Sequence, residues 1–595
     1  MGVIQEKLEK QLKHLDDVII NKNYWYNDKF RVMNNEAASG KSVETKKSIA
    51  KLATTTDKKI IYIQMFAHKD SKEQDTKELE ETVNDINKYA GKNISGYLCS
   101  KNQNLHKKIL SEKQVICITH KRYLEICKNC PSGNLISNSD VMIIDEFPNL
   151  FESFYISELE LTRLQGFTLI TDKEKSDIEE MVSFINGKLN ELENKYGKSE
   201  MKIINLQKLD IKKYIKVLQT IIEKAEKDNI IAHKITIDIA KNVIELFSHS
   251  SVYTIERIGS KKYPMLYSFH YVDYILAKEN NVILDANGAF DMRYKLRPDL
   301  FKLDNQSKVF DYSNSTINMY PIPTTKTALK KYKNILLDVC NHISNLELPE
   351  DFCSEDEHLI VADIDTEDRL TDFQKETYNK MYSIFITHFG ALIGKNDWKN
   401  YNNAWIIKTP YYSWIQYILQ YLFYSNQDLN GNTSCEIRLV KGTYSNYTVF
   451  KNNEFNKFKN SIVLGEYYQA LKRIARDGRK CTFNVFLTDE CIFKLLITQF
   501  KNIKAGYKND VTIDLYVKKE SKKEPKNNER IEQIKDYILQ AKNNGKNKIK
   551  KNELCTTVNL RKDKLSRQLR SIQDWMNKNN IKVGMGKEQA YILIA

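Results

Sequence analysis

The sequence predicts an α/β protein: two parallel-sheet domains, a helical insertion in the first, and a small basic domain at the C-terminal end. Three observations predict it. Short apolar runs alternate with helical segments over most of the chain, the pattern of a parallel sheet covered by helices on both faces. Residues 174–250 keep a helical period almost throughout. Residues 518–595 hold 20 Lys/Arg against 9 Asp/Glu, a net of +11 out of +15 for the whole chain.

At ~100–200 residues per domain, 595 residues correspond to roughly three to five domains. An apolar fraction of 41%, 28% charged residues and a mean hydropathy of −0.53 describe a soluble chain with ample core. Only 20 Gly and 9 Pro exclude collagen-like and Pro/Gly-rich disordered chains. The most apolar stretch, Tyr411–Tyr424, is interrupted by Ser413, Gln416 and Gln420 and is shorter than the ~20 residues of a spanning helix. The N-terminal segment lacks the uncharged apolar centre of a signal peptide. Ten cysteines without regular spacing fit a reducing compartment. A cytoplasmic protein without membrane contact is expected.

The first domain is placed at residues 1–304, with candidate strands Phe30–Met33, Ile60–Phe66, Val115–Thr119, Val141–Ile144 and Val282–Leu284. Its helical insertion, about 160–255, shows Ile178, Met181, Ile185, Leu189 and Leu192 three or four apart, as are Tyr214, Leu218, Ile221 and Ala225. The second domain, 305–517, has candidate strands His358–Ala362, Ser383–Thr387, Trp405–Lys408, Ser461–Leu464 and Thr482–Leu487. Residues 518–529, charged and nearly free of apolar side chains, read as a basic linker. Residues 530–595 form the last domain.

Asn35-x4-Gly40-Lys41-Ser42, between a strand and a helix, fits a phosphate-binding loop except at its first position, where Gly is expected. Ser39 and Gly40 would turn backbone N–H groups toward phosphates at the helix N-terminus. Lys41 would reach the β/γ-phosphates, and the Ser42 hydroxyl would serve Mg²⁺. Asn35 can stand for glycine because Asn enters the left-handed region more readily than other residues. About a hundred residues on, the apolar run Val141–Ile144 ends in Asp145-Glu146. The first carboxylate can hold Mg²⁺ through water and the second can polarise an attacking water. Finally, Tyr468–Arg476 reads as a helix with Gln469, Arg473 and Arg476 on one face. An arginine brought to the γ-phosphate from a second domain stabilises transition-state charge.

In this order the motifs resemble a superfamily 2 helicase, with two RecA-like domains and ATP in the cleft between them. Thr119-His120-Lys121-Arg122-Tyr123-Leu124 resembles the segment that precedes the acidic motif in that family, which implies nucleic-acid contact at Thr119 and His120. Ile386-Thr387-His388-Phe389-Gly390 with Gly394-Lys395-Asn396-Asp397 resembles the second-domain motif that contacts ATP and the nucleic-acid backbone, implying nucleotide contacts at Gly394 and Asp397. The resemblance spans roughly residues 25–490. It implies that Lys41 binds phosphate, Ser42 and Asp145 hold Mg²⁺, and Glu146 is the catalytic base. Arg476 with Arg473 would be the arginine finger, assisted by Gln469.

Four departures stand out: Asn35, Phe147-Pro148 after the acidic pair, Asp285-Ala286-Asn287 in place of a Ser/Thr-Ala-Thr coupling motif, and Lys472 where Gly usually precedes Arg473. All the hydrolytic residues are present, and the choice among unwinding, translocation and remodelling stays open. Cys99, Cys117, Cys127 and Cys130 read as free buried cysteines rather than cluster ligands, because Cys117 falls in a core strand.

The last domain reads as helices Ile531–Asn543, Lys551–Val558 and Lys562–Asn579, then a Gly-containing hairpin closing on Ala590–Ile594: a winged helix-turn-helix. Its third helix buries Leu565, Leu569, Ile572 and Met576. That turns Lys564, Ser566, Arg567, Arg570 and Ser571 outward toward a groove, with Lys582 and Lys587 on the wing. The expectation is an ATP-dependent DNA helicase or translocase using ATP and Mg²⁺, with a single strand in the motor and duplex at the winged helix. The resemblance to replication proteins of plasmids, phages and mobile elements adds a replication role and replication partners. An RNA helicase, and a DNA-binding replication initiator or regulator with a degenerate ATPase switch, are the alternatives.

Overall fold

The computed structural model describes residues 2–65, 76–129, 135–196, 201–206, 211–228, 233–258, 261–332, 334–346, 356–392, 397–429, 433–474, 478–510, 524–558, 560, 562–584 and 588–594. The chain divides into two units, Met1–Thr512 and Ile513–Ala595.

In the larger unit the first strands are β1 (Phe30–Met33), β2 (Ile60–Gln64), β3 (Ser95–Tyr97), β4 (Val115–Thr119) and β5 (Val141–Asp145). An excursion carries β6 (Glu152–Ile156), β7 (Lys202–Ile204), β8 (Ser251–Ile258) and β9 (Lys261–His270), and the chain returns as β10 (Asn280–Leu284) and β11 (Phe301–Asp304). The first sheet runs β11-β1-β10-β5-β2-β4-β3, every pair parallel. β1, β2 and β10 are buried along their whole length, as in a sheet with helices on both faces. β10 lies between β1 and β5, so the strand leading to Lys41 and the strand ending at Asp145 are one strand apart.

The excursion is mostly helical but not purely so. Helices Asp172–Tyr196, Lys212–Asp228 and His233–Ser248 accompany a four-stranded antiparallel sheet, β6-β9-β8-β7, whose β7 interrupts the expected helical run. These helices share a core of their own, built on Ile178, Met181, Leu218, Val243 and Phe247.

The second parallel sheet is formed by β12 (Thr316–Tyr320), β13 (His358–Ala362), β14 (Ile384–His388) and β15 (Asn403–Ile406). A hairpin of β16 (Ile437–Lys441) and β17 (Asn446–Phe450) follows, then β18 (Thr482–Phe486) and β19 (Lys504–Tyr507). Its order is β14-β13-β15-β18-β12-β19. Ser461–Leu464, expected as a strand, instead lies inside the helix Asn453–Leu471. Residues 458–465 of that helix are buried without a break, so no amphipathic period marks it and its apolar run imitates a core strand.

The smaller unit holds the helix Glu524–Asn543, β20 (Lys548–Lys550), helices Lys551–Thr557, Lys562–Ser571 and Gln573–Lys578, β21 (Ile581–Val583) and β22 (Tyr591–Ile594). The strands pair antiparallel in the order β20-β22-β21. Its first helix begins at Glu524, within the segment expected as linker, and residues 518–523 lie outside the described residues. The expected single helix Lys562–Asn579 breaks at Ile572. Leu565, Leu569, Ile572 and Met576 are all buried in the unit's core, as the helical spacing predicts. Among the described residues no helix is long and apolar enough to cross a membrane.

Candidate nucleotide site between the two parallel sheets

β1 delivers the loop 34–40, and Gly40, at φ 83°, caps the helix Lys41–Thr55. The left-handed turns fall on Ala38 (φ 70°) and Gly40. This corrects the expectation for Asn35, which replaces glycine without adopting its conformation. Asn35 is fully buried, and neither its amide nitrogen nor its oxygen has a hydrogen-bond partner among the described residues. The hydroxyl of Ser39 is in the same condition. Buried polar atoms left without partners are costly.

β5 ends at Asp145, whose Oδ2 accepts hydrogen bonds from Ser42 Oγ at 3.0 Å and Tyr62 OH at 3.2 Å. Glu146 follows in the left-handed region at φ 70°, and its N–H donates to Leu284 O at 3.0 Å. Burial, reinforced by Asp145, pushes the Glu146 carboxyl up to about 7, while Arg473 and Lys41 pull it down. His120, expected on nucleic acid, has Nε2 2.9 Å from the Asp145 carbonyl oxygen. Burial holds it down to about 4, so the ring is neutral and donates its Nε2–H to that carbonyl. Thr119 caps the following helix, its hydroxyl accepting from Arg122 N at 3.2 Å.

β10 is followed by Asp285, which accepts from Tyr294 OH at 2.8 Å and Asn287 N at 2.9 Å; burial raises its carboxyl. Asn287 packs against Gly465, where a Cβ would come within 3.3 Å of Nδ2. The Asp-Ala-Asn sequence therefore links the end of β10 to the helix Asn453–Leu471 of the second domain. Phe147, a second departure, is held as firmly. The Arg293 guanidinium lies 3.6 Å from its ring centroid, and Tyr294 and Tyr424 meet it edge-on at 5.2 and 5.5 Å. Arg293 is bidentate to Asp291.

Gln469 and Arg473, expected on one helix, are parted by the helix end. The helix stops at Leu471, where Lys472 N bonds Tyr468 O and Arg473 N bonds Ala470 O in a tight closing turn. Gln469 is on the helix, half-buried, and Arg473 is in the turn, close enough to Glu146 for each to shift the other's titration. Arg476 and Gly394 lie outside the described residues, and Asp397 is exposed after β14. Cys117 and Cys127 are buried free thiols, Cys99 is half-buried and free, and Cys130 lies outside the described residues. In the smaller unit Arg570 and Lys582 are exposed, whereas Lys587 and the side chains of Lys564 and Arg567 lie outside the described residues.

Sequence reasoning missed Glu36, a buried acid within the loop 34–40. Its Oε2 accepts from Val309 N at 2.8 Å and Phe310 N at 3.1 Å, and its Oε1 from Lys472 Nζ at 3.3 Å. It also missed Tyr468, whose hydroxyl accepts from Lys308 Nζ at 3.5 Å.

A Gly-Lys-Ser loop after β1, an acidic pair after β5 and a second parallel sheet define an α/β protein with two parallel sheets, consistent with two RecA-like domains. No protein-family model matches the chain, and neither does any curated protein sequence. Solved structures do resemble it. S. tokodaii Xpd4 is 12% identical with a TM-score of 0.45, covering 85% of this chain and 100% of its own. The DEAD-box helicase Mss116 bound to ssRNA and UDP-BeF is 12% identical with a TM-score of 0.37, covering 91% and 86%. The DUF1998 helicase MrfA bound to DNA and AMPPNP is 9% identical with a TM-score of 0.35, covering 85% and 54%.

Proposed function

We propose that the protein is an ATPase that moves along nucleic acid as a helicase or translocase, with DNA as its track and the cytoplasm as its compartment. The observation that carries this is the convergence of Ser42, Asp145 and Glu146 on one side of the cleft with Arg473 arriving from the other.

Lys41 binds the β/γ-phosphates at the N-terminus of its helix. Ser42 Oγ and Asp145 Oδ2, 3.0 Å apart, are hard oxygen donors of the kind Mg²⁺ takes. Bound Mg²⁺ supplies neutralisation of phosphate charge. Glu146 accepts a proton from the attacking water, and its raised carboxyl makes it a competent base near neutral pH. Arg473, with Arg476 assigned the same role, offsets charge developing on the γ-phosphate. Asp285-Ala286-Asn287 and Phe147 carry the state of the acidic pair to helices of the second domain.

The element order of the C-terminal unit and its net charge support a winged helix-turn-helix that docks on duplex DNA through Arg570, Lys582 and their neighbours. A duplex-docking module on a motor suits origin binding followed by opening in plasmid, phage or mobile-element replication.

The test is ATP hydrolysis alone and with single-stranded DNA, duplex DNA and RNA of equal length, alongside Glu146→Gln. Stimulation by DNA that the substitution abolishes is the expected result. Stimulation by RNA alone would reassign the track, and nucleotide binding without turnover would leave a DNA-binding switch.

A further inference from the structure

We propose that Glu36 and Lys472 are positioning residues: a latch that holds the phosphate loop against the second domain and keeps Arg473 at the nucleotide site before nucleic acid binds. This rests on the ATPase reading above. Glu36 lies within the phosphate loop, Lys472 in the turn that ends the helix Asn453–Leu471, and their side chains are each only 1% exposed. Lys472 Nζ also donates to Tyr312 OH at 2.5 Å and sits 4.5 Å from the ring centroid of Phe310. One carboxylate thus gathers three segments: the loop after β1, the connection 309–312 between the two sheets, and the turn bearing Arg473.

Two features mark this pair as more than packing. A buried ion pair seldom recovers the cost of dehydrating both charges, and burial pushes Lys472 down to about 8 although Glu36 opposes the shift. Apolar side chains would fill the space at lower cost, so what the pair supplies is geometry. Moreover, Lys472 immediately precedes Arg473, so fixing one fixes where the next leaves the turn. Nucleic acid then has less closing to do, because loop and arginine are already joined.

The test is steady-state ATP hydrolysis by wild type, Glu36→Gln, Lys472→Met, the double variant and Tyr312→Phe, with and without saturating single-stranded DNA. Arg473 acts on the transition state, so without DNA each of the first two should lower kcat about tenfold while KM for ATP changes less than about threefold. The double variant should be no worse than either single, because both break one contact. DNA should restore most of the loss, Lys472→Arg should retain more activity than Lys472→Met, and Tyr312→Phe should show a smaller form of the same defect. Single variants equal to wild type, effects that multiply, or an equal loss with and without DNA would overturn the latch. Amide hydrogen exchange of residues 34–40 separates this from the ATPase reading. Faster exchange in Lys472→Met, with the rest of the fold still protected, supports the latch even if wild type shows no turnover. Unchanged exchange sinks the latch even in an active enzyme.

Discussion

The two parallel sheets bring differently built groups toward one another. The first presents its chemistry at strand ends: Lys41 and Ser42 beyond β1, Glu146 beyond β5, Asp285 beyond β10. Because these strands are neighbours in the order β1-β10-β5, hydrogen-bonded register fixes their spacing. The second sheet presents Arg473 from a turn after a helix, located by the Lys472–Glu36 pair and not by any strand. Register is stiff, whereas a turn anchored through side chains is adjustable. The side with adjustable anchorage is the one suited to change with bound nucleotide.

The largest test of this contrast is catalytic. Lys41→Ala should remove about a thousandfold or more of ATP turnover, whereas Gln469→Ala on the opposite wall should cost about tenfold, both read as kcat/KM. Next comes Arg293→Met, which strands Asp291 and uncovers the Phe147 ring. It should lower unfolding free energy by about 3–5 kcal/mol in urea titrations, and a loss below about 1 kcal/mol would show that the Phe147 site is not fastened as described.

A third test uses pH. Lys472 titrates at about 8 when folded and at the ordinary lysine value when unfolded, so between those values the unfolded chain binds the extra proton. Stability therefore rises with pH across that window. Wild type should gain up to about 3 kcal/mol over Lys472→Met between pH 8 and 10.5, compared by urea midpoints. A parallel pH dependence in the two proteins would contradict it. The smallest effects separate two glycines. At Gly288 a Cβ would lie 2.9 Å from Val32 and 3.1 Å from the Asp285 carbonyl, against 3.3 Å from the Asn287 amide at Gly465. Gly288→Ala should cost about 1–3 kcal/mol. Gly465→Ala should cost less than about 1 kcal/mol, because a side-chain amide can yield.

Much of the first sheet is visible in sequence because β1, β2, β4, β5 and β10 each carry a short apolar run, with Asp145 and Asp285 at or just past the end of one; β3 (Ser95-Gly96-Tyr97) and β11 (Phe301-Lys302-Leu303-Asp304) have no such run and were not expected. The same logic failed at Ser461–Leu464, where a helix buried all round has no period to read. It failed again at Arg473, since nothing in Tyr468–Arg476 announces that the helix ends at Leu471. The Glu36–Lys472 pair spans 436 positions and belongs to no local pattern. Asn35 shows the converse: its anomaly was visible at once, but the conformation it was expected to supply is taken by Ala38. Local chemistry is written locally, while contacts across the cleft depend on where elements far apart in the chain come to rest.

The position of β1 also governs how the protein is made. Its partners are β10 and β11, so about 250 residues must leave the ribosome before β1 gains a neighbour. At about 5–20 residues per second that is on the order of 10–50 s. During that interval Phe30, Val32 and Met33, all fully buried in the finished fold, have no sheet to join. The excursion between β5 and β10, with a hydrophobic core of its own, is synthesised in the meantime. The nascent chain thus has a long period in which an apolar strand is open to chaperones or to other chains. A polypeptide released before residue 280 would lack β10, the strand that joins β1 to β5.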